Sequence, residues 1–377
     1  MIEILINTQF LPLVLLGVFT FIFILLLLFY RLFFWRLARY RQPADDKGHP
    51  GVSVVICAHN EYHHLKESLP IILEQDYPDF EVVVVDHSSD DETRYLLADL
   101  EERFPNLKTI SIKEDLNFFS GKKFPLSIGI KSAKYDLVLL TDPDCKPASK
   151  GWIRSMQSGF TPKVEVVLGY GPYRQSPGLL NKLIRFDTAH IAIQYLSYAL
   201  AGFPYMGVGR NLSYRKQVFY KNNGFISHYR IRSGADDLFV NRVARKSNTA
   251  IMVDPGSYTL SDPRESFGTW ITQKKKHLST SQHYRFKHKL LLGMYALALV
   301  LFYGLFILLL SLNWSVIPVC GIFLARMALQ YLVMGRCMKQ LDEKDLVAFI
   351  PVFEIFLLVF NAGTWISNLF YKPVRWK

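Results

Sequence analysis

Cysteine is scarce in this chain, and its spacing excludes the sites that cysteine usually builds. The 377 residues include four cysteines, at positions 57, 145, 320 and 337. No two of them form a CxxC pair, and none has the spacing of a zinc site. The sequence therefore predicts neither a zinc module nor a redox pair, and it agrees with a reducing compartment.

Several binding motifs are also missing. The sequence has no GxGxxG, which argues against a classical dinucleotide site, and no GxxxxGK[ST] phosphate loop. It has no nucleic-acid-binding motif, internal repeat or low-complexity linker, so we expect no nucleic-acid partner. No Ser–His or Cys–His arrangement indicates an enzyme nucleophile.

What the chain has instead is long apolar runs at both ends. Residues 11–30 and 290–312 contain no charge, and each run is long enough to cross a bilayer as a helix. Two further runs, 315–335 and 346–371, each hold a charged residue, Arg326 and Glu354. The sequence predicts an N-terminal anchor over 1–31, a soluble domain over 32–289 and membrane helices over 290–377.

The first run is expected to stay on the protein, because no positive residue precedes it and no small-x-small cleavage site follows. Arginines follow it at once, and the basic segment 274–289 precedes the second run. Lys and Arg beside spans mark the cytoplasmic side, so we expect a cytoplasmic soluble domain at a cell (inner) membrane. The net charge of +12 suits anionic lipid headgroups or a diphosphate ligand. The side on which the C-terminus lies stays open, because "NAG" at 361–363 would allow a split or re-entrant segment.

The central segment alternates apolar strands with amphipathic helices. Residues 51–58, 80–86, 107–112 and 135–142 have strand patterns, the second of them continuously apolar. Such alternation predicts an α/β domain with a buried parallel sheet. Ligands in these sheets bind outside the carboxyl ends of the strands, where Asp86, Asp142 and Asp144 are expected.

Asp142 and Asp144 flank Pro143 at the end of the fourth strand. Alternate residues can face one ligand, and Mg²⁺ or Mn²⁺ binds carboxylates together with phosphate oxygens. Asp-Pro-Asp is also ordinary turn chemistry, and the position at a strand end favours the metal site. Asp86 follows the second strand, where an acid commonly binds a ribose hydroxyl or a base N–H; the alternative is a helix cap.

Other polar segments have a structural and a functional interpretation. Lys122 and Lys123 after Gly121 could meet phosphate at a helix start or form a solvated basic loop. Asp236 and Asp237 open an amphipathic helix, where acids also complement the macrodipole. Lysines 274–276 could contact lipid phosphates. Arg326 and Glu354 could form an ion pair or handle a lipid headgroup.

Taken in order, the segments "VSVVICAHNE", "VVVVDHSSDDET", "GKK", "TDPD", "GVGRNLSYRKQVF", "GADDLFVNR" and "QKKKH" resemble the family 2 glycosyltransferases. The resemblance covers residues 51–280 and implies a GT-A (Rossmann-like) domain with flanking transmembrane α-helices. It implies a nucleotide-sugar site at Ala58, Glu61, Asp86, Lys122, Lys123, Asp142, Gly209 and Asn211. It also implies a DxD metal site for Mg²⁺ or Mn²⁺ at Asp142 and Asp144.

The resemblance also implies the reaction. The acid pair matches a motif whose aspartate acts as general base, with Asp236 favoured over Asp237. Gln273 matches the family's Q-x-x-R-W motif at the leaving-group and acceptor side, but Lys276 and His277 replace its Arg and Trp. The expected activity is inverting transfer from a nucleotide-diphospho-sugar, with a UDP-sugar as the expected donor, to a lipid or lipid-linked glycan. The alternatives are a processive polysaccharide synthase, which the altered motif disfavours, and a non-catalytic membrane scaffold or transporter subunit.

Overall fold

The computed structural model describes residues 2–42, 48–112, 121–231, 233–313 and 315–370. The predicted parallel strands are present as β1–β4, and further short strands follow them. The strands are β1 (Val52–Ala58), β2 (Phe80–His87), β3 (Leu107–Ile112), β4 (Leu137–Leu140), β5 (Lys146–Pro147), β6 (Val166–Leu168), β7 (Leu212–Arg215), β8 (Thr249–Ile251) and β9 (Thr259–Leu260).

The described residues form a seven-stranded sheet in the order β3-β2-β1-β4-β7-β6-β8, while β5 and β9 pair separately. Strands β1 to β4 run parallel, as predicted. Strand β7 pairs antiparallel with β4 and β6, and β8 pairs parallel with β6. The sheet is thus mixed rather than wholly parallel. The sequence did not predict this, because the pattern of a strand as short as β7 shows neither its neighbours nor its direction.

Helices cover the sheet and continue into the apolar ends of the chain. They are α1 (Ile2–Phe29), α2 (Trp35–Ala38), α3 (Tyr62–Leu73), α4 (Thr93–Arg103), α5 (Lys123–Ser132), α6 (Trp152–Ser158), α7 (Leu179–Leu200), α8 (Lys216–Lys221), α9 (Asp237–Val243), α10 (Phe267–Ser281), α11 (Phe286–Ser311), α12 (Val316–Gln340) and α13 (Ile350–Phe370). A π-helical turn, Tyr30–Phe34, joins α1 to α2, and a 3₁₀ turn, Lys344–Phe349, precedes α13.

Within the described residues, four helical segments are long and apolar enough to cross a membrane: Phe10–Ala38, Phe286–Ser311, Val316–Gln340 and Lys344–Thr364. They correspond to the four apolar runs of the sequence. The "NAG" segment does not interrupt α13, which is helical throughout its length. Residues 371–377, with the terminal basic segment, lie outside the described residues.

Arg326 and Glu354 form an ion pair inside the helix bundle. Arg326 Nη2 donates to Glu354 Oε2 at 2.5 Å, and Tyr303 Oη donates to the same oxygen at 2.7 Å. Gln330 Oε1 accepts a further bond from Arg326 Nη1 at 2.7 Å. Charges are costly at membrane depth unless they are paired, so this network explains how the bundle holds both residues.

The sheet domain and the helix bundle share one hydrophobic core. Val55 and Val83 from the sheet belong to the same buried cluster as Phe19 of α1, Phe302 of α11 and Leu357 of α13. Contacts of this kind bury apolar area on both sides, and burial is the main favourable term in folding. The two parts of the chain are therefore packed as one body of structure rather than joined by a linker.

A buried ionic contact reinforces the same junction. Arg185 of α7 contacts Glu343, and its Nη1 donates to Asp345 Oδ2 at 2.8 Å. Tyr170 Oη donates to Glu343 Oε1 at 3.1 Å. Burial raises the pKa of Glu343 to about 7, against the opposing effect of Arg185. The segment between α12 and α13 is thereby fixed to the sheet domain.

Candidate active site

The carboxyl edge of the sheet brings Ala58 and Asp86 side by side. They are register partners at the ends of β1 and β2. Ser89 donates to Asp86 Oδ1 from its hydroxyl at 2.5 Å and from its backbone N–H at 3.3 Å. Asp86 Oδ2 is buried without a hydrogen-bond partner among the described residues, and Arg94 Nε lies 3.8 Å from it. A buried carboxylate oxygen of this kind is suited to accept from a ligand hydroxyl or N–H.

Glu61 lies at the start of α3, beside the same edge. His64 Nδ1 is 2.5 Å from its Oε2, and the Glu61 backbone N–H donates to Thr93 Oγ1 at 3.0 Å. Burial raises the pKa of Glu61, with smaller contributions from Asp144 and Asp142. Glu61 is therefore close enough to Asp142 and Asp144 for their negative charges to raise its pKa.

Asp142 and Asp144 follow β4, in a turn that Ser68 holds by donating to the Pro143 carbonyl at 2.7 Å. Lys122, at the start of α5, makes an ion pair with Asp142. Burial raises the pKa of Asp142, but the Lys122 ammonium outweighs that effect and holds the pKa below its usual range. Burial and the Asp142 charge raise the pKa of Asp144, and Arg210 opposes them.

This turn is a two-carboxylate site. In the part of the chain that the structure describes, no three His, Cys, Asp or Glu side chains are grouped to hold a metal ion. The raised pKa of Asp144 comes first from burial and then from the Asp142 charge, and a bound cation would oppose both effects. Two neighbouring carboxylates fit a hard divalent cation that takes its remaining ligands from phosphate oxygens.

The two predicted lysines separate in the structure. Lys122 faces the aspartates, whereas the Lys123 ammonium donates to the carbonyls of His228, Ile231 and Ser233. Lys123 is 4% exposed, and burial lowers its pKa to about 8. The Lys123 ammonium therefore binds the segment that precedes Asp236 and has a structural role. Lys122 is the lysine whose ammonium lies beside the candidate ligand site.

The acid pair also separates. Asp236 precedes α9, and the Gly209 backbone N–H donates to its Oδ2 at 2.7 Å. Asp237 is buried and accepts from Tyr284 Oη at 2.9 Å and from the Thr280 hydroxyl. Burial, with the Asp236 charge, raises the pKa of Asp237 to about 6. Asp236 is the more accessible of the two, and Asp237 connects α9 to the end of α10.

Gly209 and Asn211 also have different positions. A Cβ on Gly209 would lie 3.3 Å from Asp236 Oδ2, so the missing side chain allows the close approach of loop and acid. Asn211 is fully buried and donates to the carbonyls of Tyr170 and Ser257 at 2.8 and 2.7 Å. Its Oδ1 accepts from Trp152 Nε1 at 3.1 Å. Asn211 therefore fastens the site from behind instead of lining it.

Helix α10 places Gln273, Lys276 and His277 along the same cleft. Gln273 Nε2 donates to Tyr173 Oη at 3.0 Å. Lys274, which the sequence grouped with its neighbours as a lipid contact, instead makes a buried ion pair with Asp187 of α7 at 2.8 Å. That pair fixes α10 against α7 and so orients the face of α10 that lines the cleft.

Arg210 is a further residue of the site that the sequence analysis did not assign. Its guanidinium stacks over Tyr173 at 4.4 Å from the ring centroid and acts electrostatically on Asp142 and Asp144. Its Nη1 is buried without a hydrogen-bond partner among the described residues. In the sequence, the only indication of a role for Arg210 was its position directly after the "GVG" turn. The fold was needed to show that this turn lies close to Asp142 and Asp144.

The site residues named in the sequence analysis, together with Arg210, line one continuous cleft of about 2260 Å³, with the exception of Asp86 and Asn211, and residues next to Asp86 line it as well. The cleft begins at the sheet edge and continues along α7 and α10 to helices α11 and α13. Its lining at the end away from the sheet includes His190, Ile191, Tyr295, Leu299, Val300, Glu354, Leu357, Leu358 and Asn361. A polar site on the sheet is therefore connected to an apolar space between helices long enough to span a membrane.

The chain is similar in sequence to curated glycosyltransferases. Poly-beta-1,6-N-acetyl-D-glucosamine synthase of Staphylococcus epidermidis is 26% identical over 144 residues, covering 37% of this chain and 33% of its own. Probable glycosyltransferase YdaM of Bacillus subtilis is 23% identical over 246 residues, covering 62% of this chain and 56% of its own. The chain spans less than two thirds of the length of the curated relatives that it matches.

Among solved structures, the mannosyltransferase PcManGT from Pyrobaculum calidifontis, in complex with GDP-Man and Mn²⁺, superposes with a TM-score of 0.55. The match covers 94% of this chain and 99% of that one at 17% sequence identity, and it confirms the GT-A fold. The model of glycosyl transferase family 21 matches residues 18–377. The resemblance to a GT-A glycosyltransferase is thereby confirmed, and the chain belongs to glycosyl transferase family 21.

Proposed function

We propose that this glycosyltransferase is a membrane-bound, inverting enzyme that transfers a sugar from a nucleotide-diphospho-sugar to a hydroxyl of a lipid or lipid-linked glycan. The observation that carries the proposal is the single cleft that runs from the sheet-edge acids to the apolar helices α11 and α13. A donor with a diphosphate suits the polar end, and an acceptor with acyl or polyprenyl chains suits the apolar end.

The donor would lie over the carboxyl ends of β1, β2 and β4. Asp86 Oδ2 would accept from the base or ribose, and Ala58 and Glu61 would border the same pocket. Lys122 and Arg210 would meet the diphosphate, whose charge they partly neutralise. Asp142 and Asp144 would hold Mg²⁺ or Mn²⁺, which when bound supplies positive charge to the phosphate oxygens. The GDP-Man and Mn²⁺ in the Pyrobaculum mannosyltransferase support a divalent ion of this kind.

The reaction would be one displacement. The acceptor hydroxyl oxygen forms a bond to the anomeric carbon while the bond from that carbon to the phosphate oxygen breaks. Asp236 takes the hydroxyl proton, and the nucleoside diphosphate leaves with the electron pair. Lys276 and His277 on α10 border the leaving group, where Lys276 stabilises its charge without the bidentate geometry of arginine. Attack from the opposite face inverts the anomeric centre.

The membrane location follows from the four apolar helices and from the basic residues beside them. Those residues follow the first span and precede the second, so the sheet domain would lie on the cytoplasmic side of the cell (inner) membrane. Anionic headgroups would then face the basic segment 274–289. The donor would come from the cytoplasm and the acceptor from the bilayer.

A processive polysaccharide synthase is the second candidate, and the match to the S. epidermidis synthase favours it. The altered Gln273, Lys276 and His277 motif disfavours it, because the stacking and fork geometry of Trp and Arg are absent. Product length separates the two functions. The family assignment shows a glycosyltransferase enzyme, which leaves the scaffold or transporter hypothesis without support.

The test is a thermal-shift and transfer assay on the full chain in lipid nanodiscs, with UDP- and GDP-sugars in the presence of Mn²⁺. A ligand that binds only the folded state at about 100 times its Kd adds about 3 kcal/mol of stability. We expect UDP-sugars to raise the midpoint in the wild type and in Asp99→Ala, an exposed acid of α4, but not in Asp144→Ala. A response only to GDP-sugars would overturn the nucleotide assignment, and transfer only to soluble glycans would overturn the lipid acceptor.

A further inference from the structure

A cluster of exposed basic side chains lies where the first span and α12 end, outside the cleft. Arg36 and Arg39 are at the end of the first span, and Arg336 and Lys339 are in the last turns of α12. None of the four lines the cleft. Within the described residues, no carboxylate forms an ion pair with any of them. The cluster therefore carries positive charge that neighbouring acids do not neutralise.

Two of these guanidinium groups meet at the ring of Trp35. Arg336 Cζ lies 4.9 Å from the ring centroid, and Arg39 Cζ lies 5.7 Å from it. The two charges are thus no more than about 11 Å apart, although they come from different helices. Charges of one sign repel at this distance, and an anion that contacts both groups offsets the repulsion. A guanidinium that rests on an aromatic ring presents its N–H groups at its edge, where they can bind phosphate oxygens.

Hydrogen bonds between the end of the first span and α12 fix this arrangement. Cys337 Sγ donates to the Phe34 carbonyl at 3.4 Å, and Gln340 Nε2 donates to the Tyr40 carbonyl at 3.3 Å. Except for Gln340, each of these residues is the sequence neighbour of Trp35 or of one of the two arginines at its ring. The arginines therefore extend from backbones that are held together, which lowers the entropy that binding an anion would cost.

An exposed apolar surface continues from the basic cluster along both helices. Leu28 and Leu32 of the first span are exposed, and Leu32 is one turn before the cluster begins. On α12, Leu324 and Leu332 are exposed, and their spacing places them on the same helix face as Arg336. Positive charge at the end of a span, with apolar surface directly beside it, matches the headgroup and acyl chains of an anionic phospholipid.

We propose that Trp35, Arg39 and Arg336 form a binding site for the phosphate of an anionic phospholipid, whose acyl chains lie along the exposed leucines of the first span and α12. The inference rests on the proposed membrane location and not on the sugar-transfer reaction. Phosphatidylcholine carries the same phosphate, but its choline cancels the negative charge. The site therefore selects anionic over zwitterionic headgroups, and the bound lipid lies against the first and third spans at one fixed place.

The probes are phosphatidylglycerol and phosphatidylcholine that carry the same diazirine on an acyl chain. The full chain in nanodiscs is labelled with each probe, and the labelled peptides are identified by mass spectrometry. We expect phosphatidylglycerol to label the first span and α12 about tenfold more than phosphatidylcholine, because each basic residue near a membrane surface adds several-fold to the affinity for anionic lipid. Excess glycerol 3-phosphate should leave this labelling unchanged, and displacement by it would show a site for free phosphate and overturn the lipid assignment.

Variants of matched charge separate a defined site from general attraction to a basic surface. Arg39→Gln/Arg336→Gln should lower the preference at the first span and α12 to about twofold or less. Lys287→Gln/Lys289→Gln removes the same charge from the first turn of α11 and should keep the preference at the first span and α12. Arg336→Lys keeps the charge but lacks the planar fork, so we expect the preference to fall by about threefold.

Equal labelling of the first span and α12 by the two probes in the wild type would overturn the site. So would an equal loss of preference in the two double variants, which would show general electrostatic attraction. If Arg39→Gln/Arg336→Gln does not fold, Arg336→Lys decides, and an undiminished preference in it would contradict the proposal. Labelling of no apolar helix by either probe would overturn the proposed membrane location, whereas equal labelling by both would overturn the site alone.

Discussion

Replacing the two acids at the start of α9 separates a catalytic role from a structural one. Asp236→Asn should abolish transfer while leaving donor binding intact. The Gly209 N–H that donates to Asp236 Oδ2 at 2.7 Å can donate equally to an asparagine oxygen, so the loop geometry is kept. What the substitution removes is the ability to accept the proton of the acceptor hydroxyl.

The expected size follows from that single loss. General-base catalysis typically contributes 10²–10⁴-fold, which corresponds to about 3–5 kcal/mol of transition-state stabilisation. In Asp237→Asn, by contrast, the hydroxyls of Thr280 and Tyr284 can reorient toward the amide, and the buried charge disappears. We expect kcat to change by less than about tenfold in that variant, because the Asp237 oxygens are already engaged by the Leu238 N–H and by the Thr280 and Tyr284 hydroxyls.

The assay is transfer from radiolabelled UDP-sugar to lipid at saturating donor, together with donor affinity from thermal shift. The predicted result is a kcat loss with an unchanged donor Kd in Asp236→Asn, and near-normal turnover in Asp237→Asn. The reverse, with turnover lost only in Asp237→Asn, would refute the assignment of the base. A donor Kd weakened as much as kcat in Asp236→Asn would refute the argument that geometry is preserved.

Three further predictions concern stability in detergent. Arg326→Met should destabilise the protein by about 3–5 kcal/mol, because Glu354 would then be a buried charge without its partner. The double variant Arg326→Met/Glu354→Leu should recover much of this loss of stability. An equal loss in the single and the double variant would contradict the reasoning. Asn211→Leu should cost about 3 kcal/mol with an unchanged donor Kd, and a weakened Kd would show that Asn211 acts in the cleft after all. The pKa of Asp237, about 6, lies above its ordinary value, so the free energy of unfolding should rise by about 1 kcal/mol as pH falls from 7 to 5. Unfolding midpoints measured against pH should show this rise in the wild type and not in Asp237→Asn.

The sequence was most informative where one local pattern determines the structure. Continuous apolar segments predicted β1, β2 and β4, and parallel pairing then placed Asp86 and Asp142 at the same edge. The apolar runs predicted the spanning helices by length alone. Each of these inferences uses neighbouring residues and a fixed period, so no long-range contact had to be known.

Roles that depend on distant partners could not be predicted in this way. Asn211 looked like a ligand-facing residue, but its partners Tyr170, Ser257 and Trp152 come from segments 41 to 59 residues away. Lys123 looked equivalent to Lys122 until the fold placed three carbonyls around its ammonium. A side chain's role here depends on which segments pack beside it, and that information is spread over the whole chain.

The core shared by sheet and helix bundle limits how the enzyme can be divided. Cutting the chain near residue 289 would expose to water Phe186 and Trp270, which now contact Phe353 and Phe360 of α13, and it would leave Arg185 without Glu343 and Asp345. A fragment without α11–α13 should accordingly aggregate in water, and inhibitors should be screened against the intact protein. If the proposed function holds, sugar chemistry and acceptor selection have to evolve together, because neither half can be exchanged without rebuilding the surface that it shares with the other.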